Sequence, residues 1–572
     1  MLSAFCLLLS AYFMRSRIYL HPSTLAKRGI VLLFLATALF YFYGLGHLPF
    51  VGPDEPRYAQ VAREMFLRHD LVTPTLGGHL WFEKPALLYW MIMAGYRLFG
   101  VSEWAARLPA AISGLLTTAA VYRIGRRVEL SYADDKLQTY GFWSALASAT
   151  TIGIVVFSRA ASFDIILTMT TTWALTFYLL HELNNNARAR RYLAGFYTLI
   201  GLSLLAKGLV GIVIPVGVVG FYHLFRKKLP ERGLFISLFW GMPLALIVAA
   251  TWYGPVIWHH GWPFIDQFFI QHHFARYISN KYHHWRPIYY YLIVIPLLVL
   301  PWNAFLFDAF LRARRWPWRP KDPAIIPVDD GLSRVLLFAL AWFIFPLLFF
   351  SFSNSKLPGY ILPVLPAVAL IAGERLWRIQ CNQGTSNWAI RTTAVLCFFF
   401  AVGVVGYAWR TRDFPVACAF LMAAPLCVAG AFALLWQRKP AASMLLIAGA
   451  TIVAMIIALH CAAPAVAARE SSKQLLQLAD ARGYSQTVVY GLQRSDRTPE
   501  FYAAGRIVYG PDGEPIMYEG PYQVIEESRR RQEPILVFVP LEELSWLTQM
   551  APAQTDVIGN NGRYAIVAVN YQ

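Results

Sequence analysis

Residues 29–58 read GIVLLFLATALFYFYGLGHLPFVGPDEPRY. The first part, 29–47, is an apolar run of bilayer-crossing length. The second part brings two carboxylates, Asp54 and Glu55, and a cation, Arg57, soon after that run ends. A membrane helix needs about 20 apolar residues, and ionised groups at the lipid boundary are expensive to hold there without a task. A span that opens onto a charged loop is therefore the unit from which the chain is built.

Beyond this stretch the same run recurs at 104–124, 138–157, 163–181, 191–206, 208–225, 234–253, 288–310, 333–352, 360–377, 389–409, 414–436 and 442–462. With 29–47 this predicts about 13 helices. Composition agrees: of 572 residues, 57% are apolar and 14% charged, with a mean hydropathy of +0.46. Soluble chains carry about a quarter charged residues. The formal charge of +18 does not indicate nucleic-acid binding, because the cations sit in short segments between apolar runs. Arg123, Arg126, Arg127 and Lys136 form one such set, Arg188, Arg190 and Arg191 another, and Arg226, Lys227, Lys228 and Arg232 a third. Arg312, Arg314, Arg315, Arg319 and Lys321 form the fourth. The positive-inside rule makes these loops cytoplasmic, and an odd number of spans puts the tail on the outer side.

The expected fold class is a polytopic α-helical membrane protein with a small C-terminal α/β domain. Residues 1–28 read as a cytoplasmic or interfacial lead, 29–464 as the transmembrane domain and 465–572 as the outer α/β domain. In that tail, 471–481 and 541–550 have helical patterns, while 487–490, 535–539 and 564–569 read as strands. The six cysteines include no C-x-x-C pair and are read as packing residues rather than a disulfide framework.

Two long outer loops, 48–103 and 254–287, hold most of the candidate chemistry. Asp54 and Glu55 are candidate catalytic carboxylates, although Asp54 could instead cap a helix starting near Arg57. Leu87 to Leu98 is too short to cross and is expected along the interface. Lys84 in Glu83-Lys84-Pro85 suits a phosphate held by a point charge. Arg159 and Asp164 flank a short outer turn, either as a sealing ion pair or with Asp164 as a functional carboxylate. In the second loop, a helical 271–277 would align His272 with Arg276, and Arg276 could grip phosphate bidentately. Glu83, His272 and His273 make a candidate metal set, for zinc or magnesium, with His283-His284 as a rival pair. The Pro and Gly of Asn354–Tyr360 predict a tight turn that presents Lys356 and Tyr360 outward.

Taken together, Asp54-Glu55, Glu83-Lys84-Pro85, Arg159 with Asp164, Lys207-Gly208 and Ser355-Lys356-Leu357-Pro358-x-Tyr360 resemble the GT-C membrane glycosyltransferases. Within that class the chain looks most like the lipid A aminoarabinose (4-amino-4-deoxy-L-arabinose) transferases, relatives of the protein O-mannosyltransferases. The resemblance implies an inverting transferase that uses undecaprenyl-phosphate aminoarabinose as donor and lipid A as acceptor. It also implies a periplasm-facing site in a Gram-negative inner membrane. On that reading Asp54, Glu55 or Asp164 is the key carboxylate, and Lys84 and Arg276, with Arg57 in reserve, hold the donor phosphate. Tyr58, Lys356 and Tyr360 are then expected to contact substrate. An O-mannosyltransferase is the alternative enzyme. A polyprenyl-lipid transporter is the alternative of another class, disfavoured because the sequence has no visible inverted repeat.

Overall fold

The structure, a computed structural model, describes residues 22–130, 139–184, 189–275, 286–312, 331–381, 387–493, 497–503, 505–552 and 554–571. Residues 1–21 of the expected N-terminal lead lie outside this set, as do Arg276, Tyr277 and His283-His284.

The first apolar run forms α1 (Pro22–Phe42), and the acidic stretch starts α2 (Asp54–Arg68). A hairpin follows, β1 (Thr75–Leu76) and β2 (His79–Leu80), and then α3 (Leu87–Phe99). The hairpin turn is Gly77-Gly78, with φ of 61° and 82°, the left-handed pair that a two-residue hairpin turn requires. Glu64 of α2 fastens it, accepting from Thr75 Oγ1 at 2.6 Å and Gly77 N at 2.7 Å.

The bundle continues with α4 (Glu103–Glu129), the broken pair α5 (Tyr140–Thr150) and α6 (Ile152–Phe157), α7 (Phe163–Glu182), α8 (Ala189–Lys207) and α9 (Val210–Arg226). Next comes α10 (Arg232–Ile265), which passes into a π-helical segment, Asp266–Ala275. The run at 234–253 therefore does not end at residue 253. The helix carries on into what reads as the second outer loop, bending at Gly261, where φ is 56°. The expected alignment of His272 with Arg276 reaches beyond Ala275, outside the described residues. Within the π-helical segment the Gln271 side chain donates to the Asp266 carboxylate at 2.7 Å.

After α11 (Tyr290–Val299) and α12 (Asn303–Arg312) come α13 (Gly331–Ser351), a 3₁₀ turn Pro358–Val364, and α14 (Leu365–Gln380). Then follow α15 (Trp388–Thr411), α16 (Val416–Leu435), α17 (Pro440–Ile457) and α18 (Ala463–Glu470). Among the described residues, seven helices are long and apolar enough to cross a membrane, or eight if α11 and α12, bent by 118°, form one span. This does not establish a count of 13. The 288–310 run is continuous in hydropathy but broken in space. The 358–380 helix is 94% buried inside the protein, whereas the long 232–272 helix is only 22% buried, so the former is the bundle's centre and the latter its rim.

One cysteine expectation is corrected. Cys418 and Cys461 form a disulfide, with Cα atoms 5.7 Å apart. They lie 43 residues apart in sequence, so no short motif announced the pair.

The tail adds α19 (Lys473–Ala481), β3 (Val489–Leu492), α20 (Pro499–Tyr502), β4 (Met517–Tyr518), α21 (Pro521–Arg531), β5 (Ile535–Pro540), α22 (Leu544–Met550), β6 (Thr555–Asn560) and β7 (Tyr564–Val569). The sheet order is β4-β3-β5-β7-β6, parallel across β4, β3 and β5 and antiparallel across β5, β7 and β6. The period-two alternation of β5 decides its faces. Ile535, Val537 and Val539 pack under α21 and α22, while Leu536 and Phe538 pack with Leu475 and Leu476 of α19. The tail sits on the loop after α1. The Phe50 amide donates to the Tyr502 hydroxyl at 2.7 Å, and that hydroxyl donates to Glu103 at 2.9 Å.

Candidate active site

Two arginines fix the chain as it leaves α1. Arg159 donates to the carbonyls of Phe40 at 2.6 Å and Tyr43 at 2.6 Å, answering the carbonyls a helix end leaves unsatisfied. Arg107, inside α4, donates to Leu45 and Leu48 at 2.7 Å each and to Pro49 at 3.0 Å. Its guanidinium also grips Glu55 with both forks, at 2.6 and 2.7 Å. Glu55 is 6% exposed and accepts from the Ala161 amide at 2.9 Å as well. Its oxygens are thus committed to holding the loop.

Asp54 behaves differently. It lies in the first turn of α2, where a negative charge suits the helix's positive end, and it is Pro53 that holds the N-cap position. The cap expectation is therefore not met. Its carboxylate is 56% exposed and accepts from Arg57 at 2.9 Å. Arg57 also donates to Pro53 O at 2.7 Å and lies over the Trp81 ring at 5.4 Å. Burial works against the Arg57 charge, but Glu83, Tyr58 and Asp54 outweigh it and raise its pKa. Burial, together with Asp54 and Glu83, pushes the Tyr58 hydroxyl well above its ordinary range.

The Arg159–Asp164 pair does not form. Asp164 pairs with Lys207, at the end of α8, and Lys207 lies over the Tyr360 ring at 4.4 Å. Ser162 caps α7, accepting from the Asp164 amide at 3.1 Å. Gly359 permits the arrangement, since a Cβ there would overlap the Asp164 carboxylate. Lys356 is a further correction. It is 5% exposed and donates to Arg286 O at 2.9 Å, so it faces inward, and burial lowers its pKa.

Asp54, Glu55, Arg57, Tyr58, Glu83, Lys84, Asp164, Tyr360 and His272 all line one cavity of about 1060 Å³. Lys207 joins them, as do Arg497, Asp512 and Glu514 from the tail. Lys207 stood in the sequence as a cationic turn after an apolar run. Nothing local marked the tail residues, which lie over 400 positions beyond the first-loop residues Asp54 to Lys84 that they join. Arg497 bridges Glu500, at 2.9 Å, and Glu514. Lys84 and Glu83 approach at 3.9 Å, as do Glu83 and His272. Among the described residues no three His, Cys, Asp or Glu side chains gather as a metal set. The His273 side chain and Arg276 fall outside the described residues. Glu83 and His272 alone are short of the three protein ligands of a catalytic zinc site.

A second, smaller hollow of about 100 Å³ adjoins the cavity. It shares Lys84, Lys207 and Tyr360, and adds Pro85, Val210, Phe349 and Phe350. Charged groups thus meet an apolar slot at one place.

Comparison with known proteins gives the same picture. Residues 83–258 match the family model of dolichyl-phosphate-mannose-protein mannosyltransferases. An undecaprenyl phosphate-alpha-4-amino-4-deoxy-L-arabinose arabinosyl transferase 2 of Pseudomonas fluorescens is 31% identical over 67% of this chain and 62% of its own length. The arabinosyl transferase of that kind from Yersinia enterocolitica is 28% identical over 67% of this chain and 66% of its own. The chain thus spans just under two thirds of these curated relatives. The crystal structure of ArnT from Cupriavidus metallidurans bound to undecaprenyl phosphate superposes with a TM-score of 0.76 at 26% identity, covering 94% of this chain and 98% of that one. The helical bundle, its loop-side polar cavity and this likeness define a membrane protein of the GT-C class. Within it, the chain belongs to the aminoarabinose transferase family, which is related to the O-mannosyltransferases.

Proposed function

We propose that this chain is an inverting glycosyltransferase that moves 4-amino-4-deoxy-L-arabinose from undecaprenyl phosphate to the phosphates of lipid A. The reaction takes place on the periplasmic face of a Gram-negative inner membrane and lowers the affinity of lipid A for cationic peptides such as polymyxin. One observation carries the reading: Asp54 and Asp164 share a cavity with Arg57, Lys84 and Lys207, and that cavity adjoins an apolar hollow through Lys84, Lys207 and Tyr360. A donor with an anionic head on a polyprenyl tail needs those two surfaces side by side. The names of the relatives supply the sugar and the carrier.

In the reaction the bond between the anomeric carbon and the carrier phosphate oxygen breaks, and its electron pair stays on the phosphate. An acceptor phosphate oxygen forms the new bond from the opposite face. Fixed cations stabilise the departing phosphate; Lys84 and Arg57 do this, and Arg276 is the further candidate. The acceptor needs no general base, because a phosphate monoester with a second pKa near 6 is largely ionised at neutral pH. Asp54 therefore holds the donor's ammonium or the positive charge developing on the sugar. Tyr58 and Tyr360 wall the sugar. The metal expectation rests on Glu83 and His272. Chelation tests it, and unchanged transfer after EDTA removes it.

Mass spectrometry of lipid A from cells with and without this chain is the decisive experiment. A gain of one aminopentose is expected, and an unchanged lipid A overturns the proposal. The match to a mannosyltransferase family model favours one second reading, transfer of mannose to protein. Offering the membranes a Ser/Thr peptide beside lipid A separates the two by product.

A further inference from the structure

Away from the polar cavity, a hollow of about 500 Å³ opens between the ends of α15, α16 and α18, where the bundle meets the tail. Trp409, Arg412, Asp413, Phe414, Val416 and Arg469 line it. Arg412 stands at the C-cap of α15 with φ 55°, a left-handed position that Gly usually fills. Among the described residues its guanidinium has no carboxylate partner. Arg469 pairs with Asp413 at 3.1 Å, and Asp413 also accepts from the Tyr407 hydroxyl at 2.7 Å. One carboxylate thus stands among two arginines that line the hollow, Arg469 paired to it and Arg412 not.

The surroundings are those of a membrane boundary. Trp409 is 74% exposed and Tyr407 53%, amphipathic rings of the kind that gather at headgroup level. Phe414, Val416 and Ala465 give the hollow an apolar side. The N-terminus of α16 begins at Val416 on the same rim, adding the positive end of a helix. The Cys418–Cys461 disulfide ties α16 to the segment after α17, which holds these walls together.

We propose that this hollow binds the phosphate headgroup of an anionic glycerophospholipid from the adjoining leaflet. Arg412 and Arg469 hold the phosphate, and Trp409 and Phe414 flank the glycerol and upper acyl chain. The site is separate from the transfer cavity and does not depend on the transfer reading.

Native mass spectrometry of the detergent-purified full chain tests it, with phosphatidylglycerol, phosphatidylcholine or inorganic phosphate added at equal concentration. The protein is expected to retain phosphatidylglycerol in preference to the other two. Arg412→Ala and Arg469→Ala should each weaken retention about fivefold, the effect of one cation near an anionic lipid surface. Asp413→Asn should strengthen it, and this opposite sign distinguishes lost charge from a misfolded variant. Equal retention of phosphatidylcholine, binding of inorganic phosphate in its place, or unchanged retention in the double arginine variant would overturn the proposal.

Discussion

Neighbouring carboxylates can have opposite duties, and Asp54 and Glu55 are such a pair. Glu55 is buried against Arg107 in a two-pronged ion pair, whereas Asp54 is half-exposed and faces the cavity. Removing one partner of a buried pair costs about 3–5 kcal/mol. Glu55→Gln should therefore lower the yield of folded protein in the membrane, measured by size-exclusion after detergent extraction. Asp54→Asn should insert and purify normally yet lose transfer, by about 100-fold or more if it stabilises charge in the transition state. Full transfer by Asp54→Asn in proteoliposomes would remove it from the chemistry. Lys84→Ala should weaken use of the lipid-linked donor, read as a raised KM for donor at constant acceptor. An unchanged KM and kcat would take Lys84 out of the phosphate site.

Among the elements, the hairpin after α2 shows how the loop is shaped to receive the tail. Gly77 and Gly78 both have positive φ, but a Cβ on Gly77 would run into the Tyr509 ring, while one on Gly78 meets nothing within 4 Å. Both substitutions to Ala carry the left-handed penalty of about 1–2 kcal/mol; only Gly77→Ala must also displace the tail. Thermal unfolding in detergent should fall further for Gly77→Ala than for Gly78→Ala, and equal losses would mean that the Tyr509 contact contributes nothing.

In the tail itself, α21 supplies Glu527, whose carboxylate accepts from Tyr490 at 2.9 Å, Arg530 at 2.9 Å and Arg531 at 2.8 Å. Burial works to raise this group, but those hydrogen bonds outweigh it and hold the pKa at about 2, below the ordinary 4.5. A depressed folded pKa contributes stability that is fully present above the unfolded value and is lost as pH falls through the folded one. The window is thus from about pH 4.5 down to about 2. Glu527→Gln should flatten the acid dependence of unfolding within it, followed by circular dichroism.

These elements also show what the residues could and could not announce. Period and hydropathy placed the long apolar runs of the bundle on helices and the short ones of the tail on strands, because both are local. They could not reveal the bend between α11 and α12, which depends on how the two halves pack. The Pro358-Gly359 turn was legible, yet which way Lys356 points depends on the distant Arg286 carbonyl. Arg107 lies in an alanine-rich stretch, and its partner Glu55 lies 52 positions away.

In the molecule as a whole, the cavity is finished by a domain that the chain reaches only at its end. Arg497, Asp512 and Glu514 form part of its wall, so the seating of the tail sets the shape of the site. Glu103, at the start of α4, is the post to which that seating is tied. It accepts from Lys473 at 2.5 Å and from the Tyr502 hydroxyl at 2.9 Å. A hydrogen bond to a charged group contributes about 1.5–3 kcal/mol, and Lys473 is partly exposed, which discounts its share. Glu103→Ala should thus weaken docking by about 2 kcal/mol. Where opening is fast relative to cleavage, proteolysis follows the open population, so cutting between the bundle and the tail should quicken by about 30-fold. Transfer should fall with it, since the wall is displaced whenever the tail is open. An unchanged cleavage rate would show that Phe50 and Phe501, whose rings meet edge-on at 4.8 Å, hold the domain without Glu103. A faster rate with full transfer would show that the tail wall is dispensable to the chemistry.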